Sequence, residues 1–360
     1  MKYPYHCIFF ICLIAGISQH TFTCSSLRLK AKDGSIVYAR TMDFPQETEA
    51  EIIAVPRNVS FVGTLPGNKK GLNWKNKYGI LGVNGLHVDH ITDGINEKGL
   101  VCGLFYFPHY AEFQPLNAQN TQQSIAFWEL GTFLLSTCAT VQDVRKIITT
   151  ISVVETPFEN QRSLSAHYIV HDTQGNSLVI EYIKGKLTLY DNPYGVITNS
   201  PSFDWHMTNI NNYLHLFTPQ TKKLTIAGIE LASPGEGSNF IGLPGDFTPP
   251  SRFVRLTVLS QTSVALPTAA ECINQAINIM NNVTVPRGPV TIDDAGKKKY
   301  DYTQWMTVYD VTNKRLYYRT YDNPNFRYID GNKVSFEGKT VKRIPMAEPA
   351  HYVDYSGKFR

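Results

Sequence analysis

Two runs of alternating residues on either side of Asp33-Gly34 constrain this chain more than any other feature. Leu27 and Leu29 alternate with Ser26, Arg28 and Lys30, and Ile36 to Arg40 returns after the turn. Period-two alternation marks a strand with one buried face, and Asp-Gly between two such runs marks a tight hairpin. The segment CSSLRLKAKDGSIVYARTMDF is thereby committed to an antiparallel sheet. Further strand-like runs lie at Glu51–Pro56, Tyr78–Val83, Leu100–Phe107, His167–His171, Ser177–Tyr182, Lys186–Tyr190, Gly195–Thr198, Trp305–Val311 and Arg315–Thr320.

Helical signals are fewer and longer. Ser124 to Ser136 is strongly apolar, and Thr140 with Asp143 forms a capping-box start for the next helix. Phe203, Met207, Ile210, Leu214 and Phe217 recur at helical spacing, and Thr268 with Glu271 caps a helix running to Met280. Strand blocks flank helix blocks without βαβ alternation, so the expectation is an α+β layered sandwich rather than a doubly wound parallel sheet. One domain over residues 24–360 is expected. The Gly- and Pro-rich stretch near 219–250 reads as a structured insertion, because its Leu and Ile residues still alternate.

Residues 1–23 differ from the rest. A single charge, Lys2, precedes a short apolar run, Ile8 to Ile17, and a polar segment, Ser18 to Thr23. This is the layout of a secretory leader, too short to span a bilayer comfortably. Cleavage after Thr23 makes Cys24 the first residue, with the product exported to the periplasm or secreted and no membrane attachment afterwards. The net charge of +4 is small and unclustered, which gives no electrostatic basis for binding nucleic acid or anionic membranes. Of six cysteines, Cys7 and Cys12 fall in the leader. Cys24, Cys102, Cys138 and Cys272 show no CxxC spacing, so zinc is not indicated. Export permits disulfides, but Cys102 and Cys138 sit in apolar segments that suit buried free thiols equally well.

Cys24 is the first candidate for chemistry. A thiol on the first residue carries a base in the same residue, its own α-amine, which ordinarily titrates at about 7.7–8.0. Alternatively Cys24 is a small core residue or the end of the leader. Arg40 and Asp43, in YARTMDF, return antiparallel to the Cys24 strand. There a carboxylate can hold an ammonium and an arginine can polarise a thiol; by spacing alone an ordinary ion pair is the simpler reading. His87-Val88-Asp89-His90 contains metal-ligating types, but the spacing fits a structural loop cluster better than a metal site or triad. No GxSxG elbow, P-loop or GxGxxG is present.

Taken together, Cys24 to Phe44, DGINEKGL (Asp93–Leu100), VITNSPSFDWH (Val196–His206), GLPGDFTPPSRFVR (Gly242–Arg255) and the tyrosine-rich YDYTQWMTVYD and LYYRTYDNP segments resemble the choloylglycine hydrolase family, which contains penicillin V acylases and bile salt hydrolases. The resemblance implies the four-layer αββα sandwich of N-terminal-nucleophile hydrolases. It implies an amidase acting on a small-molecule acyl amide without a cofactor. By motif it makes Cys24 the nucleophile, with Arg40 and Asp43 beside the thiol. It gives Asn199 and the backbone N–H of Tyr106 to the oxyanion and Arg252 to ordering the site, and places Met42 with Tyr106 in the acyl pocket. Tyr106, where bile salt hydrolases usually carry asparagine, and the CSS start point toward penicillin V acylases. A bile salt hydrolase or an acyl-homoserine-lactone acylase is the alternative on the same machinery, and a secreted binding protein the alternative outside enzymes. A homotetramer, with the 219–250 insertion as assembly arm, is also implied.

Overall fold

The computed structural model describes residues 23–85, 87–157, 165–220, 223–294 and 296–360. The expected leader, apart from Thr23, and the two cysteines within it lie outside the described residues. The first sheet has the strand order Thr23–Lys30, Ile36–Phe44, Lys297–Asp310, Arg315–Thr320, Arg327–Asp330, with Val290–Asp294 pairing onto Lys297–Asp310. The second has eight strands in the order Lys186–Asp191, Ser177–Ile183, Ala166–His171, Val101–Tyr106, Asp93–Asn96, Ile80–Val83, Glu51–Val55, Lys342–Pro345. All these pairings are antiparallel.

The sheets stack face to face. Helices Pro249–Thr262 and Ala269–Met280 cover the outer face of the first sheet. Leu130–Thr137 and Val141–Ile147 cover the outer face of the second, where Phe133, Leu134, Val141 and Val144 pack with Tyr168, Leu178 and Ile180. This is the four-layer αββα sandwich that the sequence resemblance implies.

Local chemistry sets several element starts. Thr140 accepts from the Asp143 N–H while Asp143 accepts from the Thr140 N–H, and Thr268 and Glu271 do the same at the start of Ala269–Met280. Elsewhere tertiary contacts overrode the pattern. Gly195–Thr198 is not a strand of either sheet. Its Ile197 makes a single antiparallel bridge to Ser26 on the edge strand of the first sheet, with both N–H···O bonds formed. The start of the apolar run Ser124–Ser136 is a short strand, Ser124–Ala126, paired in parallel with Ser152–Val154; the helix begins only at Leu130. Past Phe203–Asn209 the chain tightens into 3₁₀ turns over Ile210–Phe217. The change of pitch buries Leu216 and leaves Leu214 62% exposed. Within the insertion, Leu224–Ile226 and Ile229–Leu231 form an exposed two-stranded hairpin.

Candidate active site

The pleat of the first hairpin sorts the residues around Cys24. Cys24 pairs with Met42 and Ser26 with Arg40, while Thr23 pairs with Asp43 and Ser25 with Thr41. Alternate side chains take opposite faces. Cys24, Arg40 and Met42 therefore face the second sheet, and Thr23, Ser25 and Asp43 face the helix layer. Every one of these side chains is buried.

On the inner side, Cys24 Sγ lies 3.7 Å from Met42 Sδ and 3.9 Å from an Arg40 terminal nitrogen. Arg40 is fully buried and donates to the carbonyls of Thr92 (2.7 Å) and Leu104. Its counter-ion is Asp93 at 3.5 Å, and its guanidinium lies over the Phe105 ring, 4.4 Å from the centroid. Asp93 in turn accepts from Tyr38 Oη (2.9 Å) and Thr307 Oγ1 (2.7 Å). Arg40 and Asp43 thus do not form the surface ion pair that their spacing alone suggested. Burial raises the pKa of the Cys24 thiol, and the lowering by Arg40 does not cancel it.

On the outer side, Asp43 accepts from Thr303 Oγ1, and burial, opposed by Arg252, pushes its carboxyl up to about 6. Arg252, in the first turn of Pro249–Thr262, donates to the Cys24 carbonyl (2.6 Å), Ser25 Oγ, Asn199 Oδ1 (2.8 Å) and the Phe247 carbonyl (2.9 Å). Asn199 Oδ1 also accepts the Cys24 N–H at 2.9 Å, and Asn199 Nδ2 donates to the Tyr106 carbonyl at 2.7 Å. An amide nitrogen carries two hydrogens, so that bond leaves one N–H for a ligand atom.

The Thr198–Asn199 backbone is clamped by two buried histidines. His167 Nε2 lies 3.1 Å from the Thr198 carbonyl, with Nδ1 against Glu181. His206 Nε2 lies 3.0 Å from the Asn199 carbonyl, and its ring stacks on Phe253 with centroids 4.7 Å apart. Carbonyls only accept, so both Nε2 atoms carry the proton. Burial holds the His206 pKa down at about 4, which keeps the ring neutral.

Cys24, Arg40, Met42 and Tyr106 line one cavity of about 140 Å³, with Leu104, Phe127, Trp128 and Trp305 among its apolar walls. His90 is also in this wall, against Trp128 and Phe61 (centroids 5.0 and 5.4 Å apart). His87 and Asp89 point instead to an exposed charge cluster: His87 Nε2 is 2.6 Å from Glu49, and Asp89 pairs with Arg343. Among the described residues no group of His, Cys, Asp and Glu is arranged to hold a metal, and Cys24, Cys102, Cys138 and Cys272 are free and buried.

Of the sequence-derived residues, Cys24, Arg40, Met42 and Tyr106 therefore line one cavity, Asn199 and Arg252 bond the Cys24 backbone, and Asp43 lies on the Arg252 side of the same strands. Five that complete the surroundings were not singled out: Asp93, His167, His206, Thr303 and Asp301. Asp93 and His206 lie inside motifs already noted, so their position within DGINEKGL and SFDWH was the available signal. For Thr303 and Asp301 the signal was weaker, a polar pair at strand spacing in an otherwise aromatic run.

Residues 24–342 match the family described as linear amide C–N hydrolases, choloylglycine hydrolase family, a match that begins at Cys24. A bile salt hydrolase/transferase of Clostridium perfringens is 33% identical over 89% of this chain and 95% of its own length. A penicillin V acylase of Pectobacterium atrosepticum is 26% identical over 89% of this chain and 84% of its own. Among solved structures, a mutant conjugated bile acid hydrolase from Clostridium perfringens superposes with a TM-score of 0.81 at 30% identity, covering 92% of this chain and 99% of that one.

Proposed function

This chain belongs to the choloylglycine hydrolase family of linear amide C–N hydrolases, and from that premise we propose that it hydrolyses conjugated bile salts with Cys24 as an N-terminal nucleophile. The observation that carries the nucleophile is the position of Cys24. Its sulfur lies under the Arg40 guanidinium at an apolar cavity, while its nitrogen lies on Asn199 Oδ1. Removal of Thr23 turns that nitrogen into an amine. The amine takes the thiol proton, and the thiolate adds to the amide carbonyl. Asn199 Nδ2 and the Tyr106 N–H stabilise the oxyanion, and Arg252 fixes Asn199 through Oδ1. The ammonium then protonates the leaving amine. Water, deprotonated by the same nitrogen, clears the thioester and regenerates the thiol.

The penicillin V preference inferred from Tyr106 rests on one ring. Similarity along the whole chain points the other way, because of the two named relatives the bile salt hydrolase is higher in identity and in the share of its own length that is matched. A long, rigid, apolar acyl group also suits walls built from Leu104, Phe127, Trp128 and Trp305. Export by the 1–23 leader to the periplasm or medium, with loss of the leader, belongs to the same reading. So does a homotetramer, for which the exposed Leu224, Ile226, Ile229 and Leu231 of the insertion supply apolar surface. The test is a substrate panel of glycocholate, taurocholate, penicillin V and a long-chain acyl-homoserine lactone on protein whose first residue is Cys24. Bile conjugates are expected to lead in kcat/KM by at least about tenfold, which corresponds to about 1.4 kcal/mol of transition-state binding. Cys24→Ala should abolish every activity. Penicillin V leading the panel reverses the substrate assignment, and turnover surviving in Cys24→Ala overturns the nucleophile.

A further inference from the structure

Beside Asp43 stands a second carboxylate that the mechanism above leaves unused. Asp301 and Thr303 share one face of the strand Lys297–Asp310, and Thr303 sits directly opposite Asp43. Asp43 and Asp301 are both fully buried. Asp301 Oδ2 accepts from Thr23 Oγ1 at 2.9 Å, and Asp43 Oδ1 accepts from Thr303. Among the described residues, Asp43 Oδ2 and Asp301 Oδ1 are buried without a hydrogen-bond partner. Two such oxygens on neighbouring strands need an explanation, because buried carboxylate oxygens are normally satisfied. Burial, reinforced by the charge of Asp43, pushes the Asp301 carboxyl up to about 8. The charged groups that act on the pair are Arg252 from the helix layer and, on Asp43, Arg40 from the first hairpin. Arg252 already directs N–H bonds to Cys24 O, Ser25 Oγ, Asn199 Oδ1 and Phe247 O. On the neighbouring strand, Val290 lies opposite Asp301 and brings no charge.

We propose that Asp301 is a positioning residue for the reaction, a second anchor for the α-ammonium of Cys24 that becomes available when Thr23 is removed. The inference rests on the reading that the active protein begins at Cys24. Loss of Thr23 takes away the hydroxyl that occupies Asp301 and creates a cation at the adjoining backbone position. A peptide nitrogen donates one hydrogen bond, and here it goes to Asn199 Oδ1. An ammonium donates three. The two new N–H bonds match the two partnerless oxygens, one on Asp43 and one on Asp301. Held on three acceptors, the nitrogen keeps a fixed direction toward sulfur while it carries the proton between thiol and leaving amine.

Two measurements test this. Carboxylate ¹³C NMR titration of Asp301, assigned with Asp301→Asn, compares the full chain with protein beginning at Cys24. The new ammonium should lower the Asp301 pKa by about 1–3 units, and an unchanged value overturns the proposal. In protein beginning at Cys24, Asp301→Asn should move the acid limb of the kcat/KM profile down by about one unit, since the amine loses an anionic neighbour. Asp301→Glu should leave that limb in place. A limb that stays put in Asp301→Asn, whatever happens to kcat, means a purely structural role and overturns the proposal. Should Asp301→Asn fail to fold, the titration of the unaltered protein decides, with the resonance assigned from Asp301→Glu. An unmoved limb in an enzyme that Cys24→Ala inactivates removes Asp301 alone, whereas activity persisting in Cys24→Ala removes the nucleophile reading beneath it.

Discussion

Replacing His206 with phenylalanine should produce a stability loss that shrinks as the solution is acidified. The ring stacks on Phe253, and a phenyl ring keeps that contact. What disappears is the N–H that His206 gives the Asn199 carbonyl at 3.0 Å. A buried acceptor stripped of its donor costs about 1–3 kcal/mol, so His206→Phe should be less stable than the parent by that much at pH 7. The pH dependence has the opposite sign. Burial lowers the His206 pKa from 6.5 to about 4. Below pH 6.5 the unfolded chain takes up a proton that the folded chain refuses until about pH 4. The stability associated with this group is complete above 6.5 and is lost as pH falls toward 4, at up to about 1.4 kcal/mol per unit. By pH 5 the parent has lost about 2 kcal/mol through this residue alone, and phenylalanine has no proton to bind. Urea denaturation of both proteins at pH 7 and pH 5 reads the difference directly, because contributions from other groups cancel in the comparison. The gap should narrow by about 2 kcal/mol at pH 5. An equal gap at both pH values would refute a buried neutral imidazole, and no gap at pH 7 would refute the hydrogen bond as a stabilising contact.

Two further substitutions probe the frame. A Cβ on Gly103 would lie 2.5 Å from Tyr38 Oη and 3.0 Å from Asp93 Oδ1. Gly103→Ala should therefore cost about 1–3 kcal/mol and lower kcat by loosening the carboxylate that holds Arg40; an unchanged melting temperature with full activity contradicts this. Glu129 accepts the N–H groups of Ala126 (2.8 Å) and Thr64 (3.0 Å), and burial raises its carboxyl from 4.5 to about 7. Its protonation supports the fold fully below pH 4.5, and that support is lost as pH rises through 7. Relative to the parent, Glu129→Gln should gain about 2 kcal/mol between pH 5 and pH 8; denaturation midpoints that track the parent across this range would show that Glu129 ionises freely.

The parts of this fold legible in sequence are the local ones. The hairpin around Asp33-Gly34 and the helix starts at Thr140 and Thr268 depend on residues within a few positions of each other. What escaped depends on distant partners. Gly195–Thr198 has strand composition, yet Ile197 finds one bridge to Ser26, and that bridge is what carries Asn199 to Cys24. The counter-ion of Arg40 is Asp93 from the facing sheet, a pairing that no spacing within the hairpin can predict. Leu214 obeys a 3.6-residue period that the chain abandons for 3₁₀ turns from Ile210 onward, so that Leu216 is buried instead. The site residues were reached through motif resemblance; the ring of Tyr106 pointed to penicillin V acylases, whereas identity along the whole chain favours the bile salt hydrolase alternative.

The arrangement of buried charge explains why freeing a nitrogen should matter more than the guanidinium beside the sulfur. Arg40, Arg252, Asp43, Asp93 and Asp301 are all fully buried on the two faces of one hairpin and its neighbours. Burying ions is unfavourable unless each finds partners, and the carbonyls and hydroxyls around both arginines supply them. Even so, with Thr23 attached the thiol pKa is raised: burial outweighs Arg40, and Asp43 adds to burial. A cation 3.9 Å from sulfur does not by itself make a thiolate here. Thiolate formation needs a base that receives the proton and remains as a second cation beside the sulfur. In the proposed reading the α-amine meets both conditions, and Asp43 and Asp301, each with one oxygen lacking a partner among the described residues, are its anchors. In this reading the uncut chain is a folded, quiet protein, and a single peptide bond separates it from an amidase.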